Sequence, residues 1–179
     1  MSAEGNLERD FGVFNKVTQK GQEQLQARRI KLVDSLDTLE TRVSSNTAKT
    51  KLAEIHSKME ATASDDAWQT SATLTSSKTK DLFTADNDAI RSLIDVPTDS
   101  VNDEDQAPLR AYIRGIVKFD GLIVAQLMDL NTLPVTNEQL WQQAWDNRLA
   151  GDVAYSERDY LGAPDLYEEA WDLSMKAIN

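Results

Sequence analysis

The sequence predicts an all-α protein, a helical bundle with a long N-terminal amphipathic helix and a C-terminal aromatic-rich helical hairpin. Three observations support this fold class. Apolar residues recur at helical spacing in at least four segments. No segment alternates with a period of two for long enough to require a strand. Seven glycines and four prolines in 179 residues interrupt the chain only rarely. We therefore expect strong helicity with little or no sheet.

The N-terminal helix is predicted from about residue 6 to residue 43, a stretch without proline. Its apolar seam is incomplete, because one of the two heptad positions is polar or glycine in the middle of the stretch. A sustained two-stranded coiled coil requires both positions to be apolar. A helix that lies on its own body or on a neighbour is therefore the better interpretation. We expect residues 7–43 to contact another molecule, with packing inside the chain's own bundle as the alternative.

The middle of the chain carries weaker signals. A helical repeat of apolar residues ends at about residue 62, and residues 61–80 predict at best a modestly amphipathic, exposed helix. Residues 86–88 have the composition of a helix cap, so a short helix should start there and end before Pro97. Residues 95–106 form the clearest predicted loop.

The strongest helix is predicted over residues 107–130, with Pro108 in its first turn. Two adjacent apolar stripes indicate that it lies at the centre of the core. Gly115 and Gly121 would allow neighbouring helices to approach it closely. The residues expected in the core include Ile116 and Ile123.

Six of the twelve aromatic residues lie between positions 141 and 171. The order of small and aromatic residues from Gly151 through Tyr155, Tyr160 and Ala163 to Tyr167 resembles one tetratricopeptide unit. No second copy at a period of about thirty-four residues is visible upstream, and a lone unit cannot bury its own face. We interpret residues 144–173 as a helical hairpin, with a true repeat unit as the alternative.

The net charge of −11 is unevenly distributed. Residues 1–62 hold ten Lys/Arg against nine Asp/Glu, whereas residues 63–179 hold nine against twenty-one. We therefore divide the chain into a helical arm, residues 1–62, and an acidic helical body, residues 63–179, within a single domain. An acidic body repels phosphates, which makes direct binding of nucleic acid unlikely. A basic partner, or the chain's own first third, is the natural complement.

The sequence contains no recognisable chemistry of catalysis, metal binding or cofactor binding. There is no cysteine, and the single histidine, His56, has only Glu60 as a local carboxylate. None of the zinc-protease, nucleophile-elbow or phosphate-loop motifs occurs. The acidic residues between 81 and 105 lack the spacing of a calcium-binding EF-hand loop. We therefore expect no enzyme activity, no metal and no cofactor.

The first residues lack a charged start followed by an apolar run, and no segment approaches the length of a membrane span. The sequence thus predicts a soluble protein without a signal peptide or a transmembrane segment, located in the cytoplasm or within a virus particle.

These observations favour a non-enzymatic structural or assembly protein that acts through helix-mediated protein contacts, such as a subunit of an oligomer, a filament or a virus particle. Self-association is the expected mode. The alternative is an acidic binding module or assembly chaperone that covers a partner's basic surface. The residues expected at the interface are Phe11, Phe14, Leu25, Arg28, Arg29, Leu32, Trp141, Trp145, Tyr155 and Tyr160.

Overall fold

The computed structural model describes residues 25–43, 45–70, 73–74, 76–96, 103–129 and 134–178. The helices in these ranges are α1 (Leu25–Arg42), α2 (Asn46–Ala63), α3 (Ser76–Ile94), α4 (Asp103–Asp129), α5 (Glu138–Ser156) and α6 (Gly162–Ile178). A 3-10 turn (Asp65–Ala67) and a short antiparallel pair, β1 (Trp68–Thr70) and β2 (Thr73–Leu74), connect α2 to α3. The predicted all-α class is confirmed, because the strands contribute only five of the described residues.

The helices share one hydrophobic core that extends from α1 to α6. Helix α1 packs on α2 and α4, while α5 packs chiefly on α6, which in turn lies against α4. Leu25, Val33, Leu36 and Leu39 point from α1 into this core. Residues 25–42 therefore pack within the chain's own bundle, which is the alternative that the sequence left open for the N-terminal helix. Residues 7–24 lie outside the described residues.

Helix α4 is central, but it is longer than the sequence indicates. It begins at Asp103, so Pro108 is its sixth residue and not part of the first turn. A proline this close to the N-terminus removes one helical hydrogen bond, while the preceding acidic residues suit the positive end of the helix dipole. The loop predicted over residues 95–106 is correspondingly too long. Ile116 and Ile123 are buried as expected.

The close approach of neighbouring helices at the two glycines of α4 is confirmed. A Cβ on Gly115 would stand 3.2 Å from Leu32 Cδ2 of α1, and one on Gly121 would stand 3.0 Å from Tyr167 Cζ of α6. Glycine at these positions brings the backbone of α4 close to side chains on two different helices. The helices α1 and α6 thus approach α4 at positions six residues apart.

The segment between α2 and α3 differs from the prediction. The helix expected around Trp68 is replaced by the short strand pair, and Trp68 is buried where exposure was expected. Its indole nitrogen donates a 3.0 Å hydrogen bond to the Thr62 carbonyl at the end of α2. This bond and the burial of the indole ring favour an extended backbone over a weakly amphipathic helix.

The hairpin of α5 and α6 is joined at its open end by backbone hydrogen bonds. Asn137 caps α5, because its side chain accepts a 3.1 Å bond from the Leu140 amide. The amides of Thr136 and Asn137 both donate to the Ala177 carbonyl, at 2.7 and 3.1 Å. The start of α5 is thereby fixed to the end of α6.

Candidate functional site

A buried ion pair lies where α1, α2 and α3 meet. Arg29 Nη1 donates to both carboxylate oxygens of Asp86, at 2.6 and 2.8 Å, and both side chains are fully buried. Arg29 Nε and Nη2 donate to Thr62 Oγ1, at 3.0 and 2.7 Å, and that hydroxyl donates to the Met59 carbonyl. The guanidinium also lies over the ring of Phe119, 5.7 Å from its centroid. These contacts satisfy the charged groups that burial removes from water.

Asp86 corrects an expectation from the sequence. Residues 86–88 were expected to cap a short helix, but α3 begins at Ser76 and Asp86 lies in its interior. The partner of Asp86 is Arg29, which stands fifty-seven positions earlier in the sequence. Burial raises the pKa of the Asp86 carboxyl, and the charge of Arg29 opposes this effect.

A third buried charge-bearing group, Asp120 of α4, adjoins the pair. Neither of its carboxyl oxygens finds a hydrogen-bond donor among the described residues. Burial, followed by the negative charge of Asp86, raises the pKa of Asp120 well above its ordinary value. Two ionised carboxylates can only accept hydrogen bonds, so a close pair requires one proton. We assign that proton to Asp120, which can then donate to Asp86.

The contact between α5 and α6 is built around Tyr167. Its ring fills the space that Gly151 leaves open, since a Cβ there would stand 2.7 Å from Tyr167 Cε1. The hydroxyl donates a 2.8 Å hydrogen bond to Asp152. Burial raises the pKa of both groups, so this bond joins a neutral phenol to a carboxyl group that is partly removed from water.

Helix α5 carries a row of apolar residues that begins against the core and ends exposed to solvent. Leu149 and Val153, four residues apart, are each 55 % exposed. The same spacing of four continues to Trp145 and Trp141, which are half-buried. Arg148 lies over the ring of Trp145, 4.8 Å from its centroid, and donates to Asp129 at 2.9 Å. We call the four residues Trp141, Trp145, Leu149 and Val153 the α5 face.

A cleft of about 680 Å³ opens between the end of α3, the first half of α4 and the turn from α5 to α6. Its apolar lining includes Leu93, Leu109 and Ile113. Three exposed arginines also line it, and none of them takes part in the ion pairs formed within the described residues. We call it the arginine cleft, after Arg110, Arg114 and Arg158.

Arg158 has an unusual backbone conformation. Its φ is 66°, and it is the one non-glycine residue with positive φ among those described. The Arg158 amide bonds to the Tyr155 carbonyl and the Asp159 amide to the Ala154 carbonyl, which is the Schellman arrangement that ends a helix. Glycine usually occupies this position, and an L-residue there costs about 1–2 kcal/mol.

The structure brings some of the predicted interface residues together and buries others. Leu25 and Arg29 lie in the chain's own core, Arg28 is exposed, and Leu32 packs on Gly115. Their position on α1 follows from its packing on α4. Phe11 and Phe14 lie outside the described residues. The remaining four residues are half-buried in or beside the hairpin, namely Trp141, Trp145, Tyr155 and Tyr160. The ring centroids of Tyr155 and Tyr160 stand 6.2 Å apart.

The sequence interpretation missed the buried acids, the exposed part of the α5 face and the arginine cleft. A signal for the buried charges exists, because Arg29, Asp86 and Asp120 each stand on an apolar helical stripe. Arg158 stands forty-four positions after Arg114 in the sequence, so only the fold places it beside Arg110 and Arg114.

Comparison of the chain with protein-family models, with curated proteins and with solved structures finds no significant match. Within the described ranges, no group of His, Cys, Asp and Glu residues has an arrangement that could hold a metal ion. None of the described helices has the length and apolar character needed to cross a membrane.

Proposed function

We propose that the protein is a non-enzymatic structural or assembly protein that associates with copies of itself through the α5 face. The observation that supports this most directly is the exposure of Leu149 and Val153, one helical turn apart, beside two tryptophans. Large apolar side chains that are exposed in a row favour a contact, because their burial removes apolar area from water. The occupant that we propose is the α5 face of a second copy.

The charge around the α5 face supports a second copy as the partner. Two chains of net charge −11 repel each other over most of their surfaces. From Gln139 to Ser156, however, the exposed positions of α5 contain one charged residue, Asp146, whose carboxylate accepts a 3.0 Å bond from Gln142. A contact between two such faces brings few like charges together.

The geometry of the α5 face also suits an identical partner. Its residues follow a ridge with a spacing of four, and two ridges of this kind interdigitate when helices cross at about −50°. A twofold axis through the contact would pair the same ridge on both chains, as in most homodimers. Trp145 and Leu149, in the middle of the ridge, would lie near that axis.

The test is the mass of the protein in solution, measured by light scattering. Wild type at micromolar concentration should have at least twice the mass of one chain. The variant Leu149→Asp with Val153→Asp should have the mass of one chain and keep the helical circular dichroism spectrum of a folded chain, because both side chains are exposed in the single chain. Ile30→Asp is the matched control, since Ile30 is 42 % exposed on α1, and its mass should equal that of wild type.

A monomeric wild type would contradict the proposal. Monomers that co-precipitate with a basic protein would instead support the second class of function, an acidic binding module. An unchanged mass of the double variant would place the contact elsewhere on the surface.

A further inference from the structure

We propose that the arginine cleft binds a small organic anion with an apolar body, such as a free medium-chain carboxylate. This inference concerns a surface other than the α5 face and does not depend on self-association. It rests on the chemistry of the lining, on the absence of ion pairs between the three arginines and any described residue, and on the backbone of Arg158.

The lining has two chemically different parts. The exposed Ile94 of α3 and the half-buried Leu109 of α4 supply an apolar wall. Arg110 and Arg114, one turn apart on α4, are exposed at the cleft. A ligand that matches both parts has an apolar chain and an acidic head group. The volume of about 680 Å³ is in the range of small-molecule sites.

The three arginines are a local exception to the charge of the protein. Residues 63–179 hold twenty-one acidic residues and nine basic ones, yet three of the nine basic residues line this one cleft. None of the three forms an ion pair within the described part of the chain. A guanidinium presents paired donors that match a carboxylate or a phosphate, so the cleft offers an anion several donors that form no ion pair with the described residues.

Arg158 supplies an independent observation. The Schellman turn requires a positive φ at this position, and glycine would meet that requirement without steric strain. The chain nevertheless holds an arginine there, and its side chain lines the cleft. Strained residues persist where the side chain has a role. The inferred role is to contact the head group from the side opposite to α4.

The test is a calorimetric titration of the full chain with decanoate below its micelle concentration. Wild type should bind one decanoate per chain. Decanol, which has the chain without the charge, and acetate, which has the charge without the chain, should each bind at least about tenfold more weakly. Equal binding of decanol and decanoate, or no saturable binding of decanoate, would overturn the proposal.

Arg158→Gly separates binding from folding. Glycine relieves the backbone strain, so the variant should melt at or above the temperature of wild type and yet bind decanoate about tenfold more weakly. Arg110→Gln with Arg114→Gln should weaken binding at least as much. Lys31→Gln removes an exposed charge outside the cleft and should leave binding within about twofold of wild type.

Two further outcomes would contradict the proposal. If Lys31→Gln weakens binding as much as Arg158→Gly, the effect is one of net charge and not of the cleft. If the protein sediments with vesicles that contain phosphatidylserine but does not bind free decanoate, the arginines recognise a lipid surface and not a free anion.

Discussion

In most proteins charged residues are exposed and large apolar residues are buried. The interior of this bundle and the outer face of α5 are two exceptions, one with buried charged residues and one with exposed apolar residues. Among the described residues, the interior holds three buried side chains of ionisable residues, Arg29, Asp86 and Asp120. The outer face of α5 exposes Leu149 and Val153 to solvent. Two of the interior groups satisfy each other, whereas the exposed apolar pair has no neighbour among the described residues that covers it.

The two regions are expected to influence different properties of the molecule, namely the stability of one chain and the assembly of several chains. Buried charges fix how helices are placed, because a misaligned helix would leave a charge without its partner. We infer this role for the placement of α1 relative to α3, which the Arg29–Asp86 pair joins. Exposed apolar residues contribute little to folding of one chain, and they become favourable only when a partner covers them. Changes in the interior should therefore alter stability, while changes on the α5 face should alter assembly.

Removal of Arg29 should have the largest effect on stability. Arg29→Leu leaves Asp86 buried beside Asp120 without a counter-charge, which should lower the free energy of unfolding by about 3–5 kcal/mol. Urea unfolding measured by circular dichroism gives this value. If the variant does not fold, Arg29→Leu with Asp86→Leu still tests the account, because replacing the whole pair should restore folding. A single variant as stable as wild type would contradict the role of the pair.

Asp120→Asn should stabilise the protein, and the gain should depend on pH. The pKa of Asp120 is raised in the folded chain, whereas it is about 3.9 when unfolded. The folded state therefore binds the proton more tightly, and the wild type loses stability as pH rises from about 4 through the folded pKa. Asparagine has no such proton, and its amide can donate to Asp86.

The gain from Asp120→Asn should thus be near zero at pH 4 and about 1–3 kcal/mol at pH 7. The groups that act electrostatically on Asp120 are Asp86 of α3, Arg29 of α1, and Glu168 and Tyr167 of α6. The measurement is the free energy of unfolding in urea at several pH values. Asp66→Asn, at an exposed position, is the control and should show almost no gain. A gain from Asp120→Asn that does not change with pH would contradict the assigned proton.

Gly151→Ala should have a smaller effect. The added methyl group would stand 2.7 Å from the Tyr167 ring, which must move and weaken its hydrogen bond to Asp152. The loss, partly offset by the higher helix propensity of alanine, should be about 1 kcal/mol. Gly115→Ala meets only the flexible end of Leu32 at 3.2 Å and should be neutral or stabilising. Thermal melts should give a lower melting temperature for Gly151→Ala than for Gly115→Ala. Equal melting temperatures of the two variants would show that the ring of Tyr167 moves without a loss of stability.

Periodicity predicts α1, α2 and α4 well, because the apolar stripe of each of these helices faces one core. It identifies α4 as the central helix, and it locates Gly115 and Gly121 as points of close approach. It fails where a residue's environment depends on a distant partner. Asp86 has the local signature of a helix cap, yet Arg29, fifty-seven positions earlier, determines its place.

The α5 face and the arginine cleft were also hard to predict, because the exposure of their residues depends on distant parts of the chain. Trp141 and Trp145 could be proposed from their spacing, but whether Leu149 faces the core or the solvent depends on where α6 lies. The arginine cleft combines residues from three separate segments. A charged residue on an apolar helical stripe, such as Arg29 or Asp120, can be recognised from the sequence alone. Such a residue is a candidate for a buried ionisable group.

The most direct test of self-association uses the absence of cysteine from the chain. A single cysteine introduced as Leu149→Cys reports whether two α5 faces meet, since a disulfide requires Cα atoms about 4.4–6.8 Å apart. Under mild oxidation at micromolar concentration, Leu149→Cys should form a covalent dimer much faster than the control Ile30→Cys, as seen by non-reducing electrophoresis. Equal rates for the two variants, or no covalent dimer of Leu149→Cys, would contradict the pairing of the α5 faces.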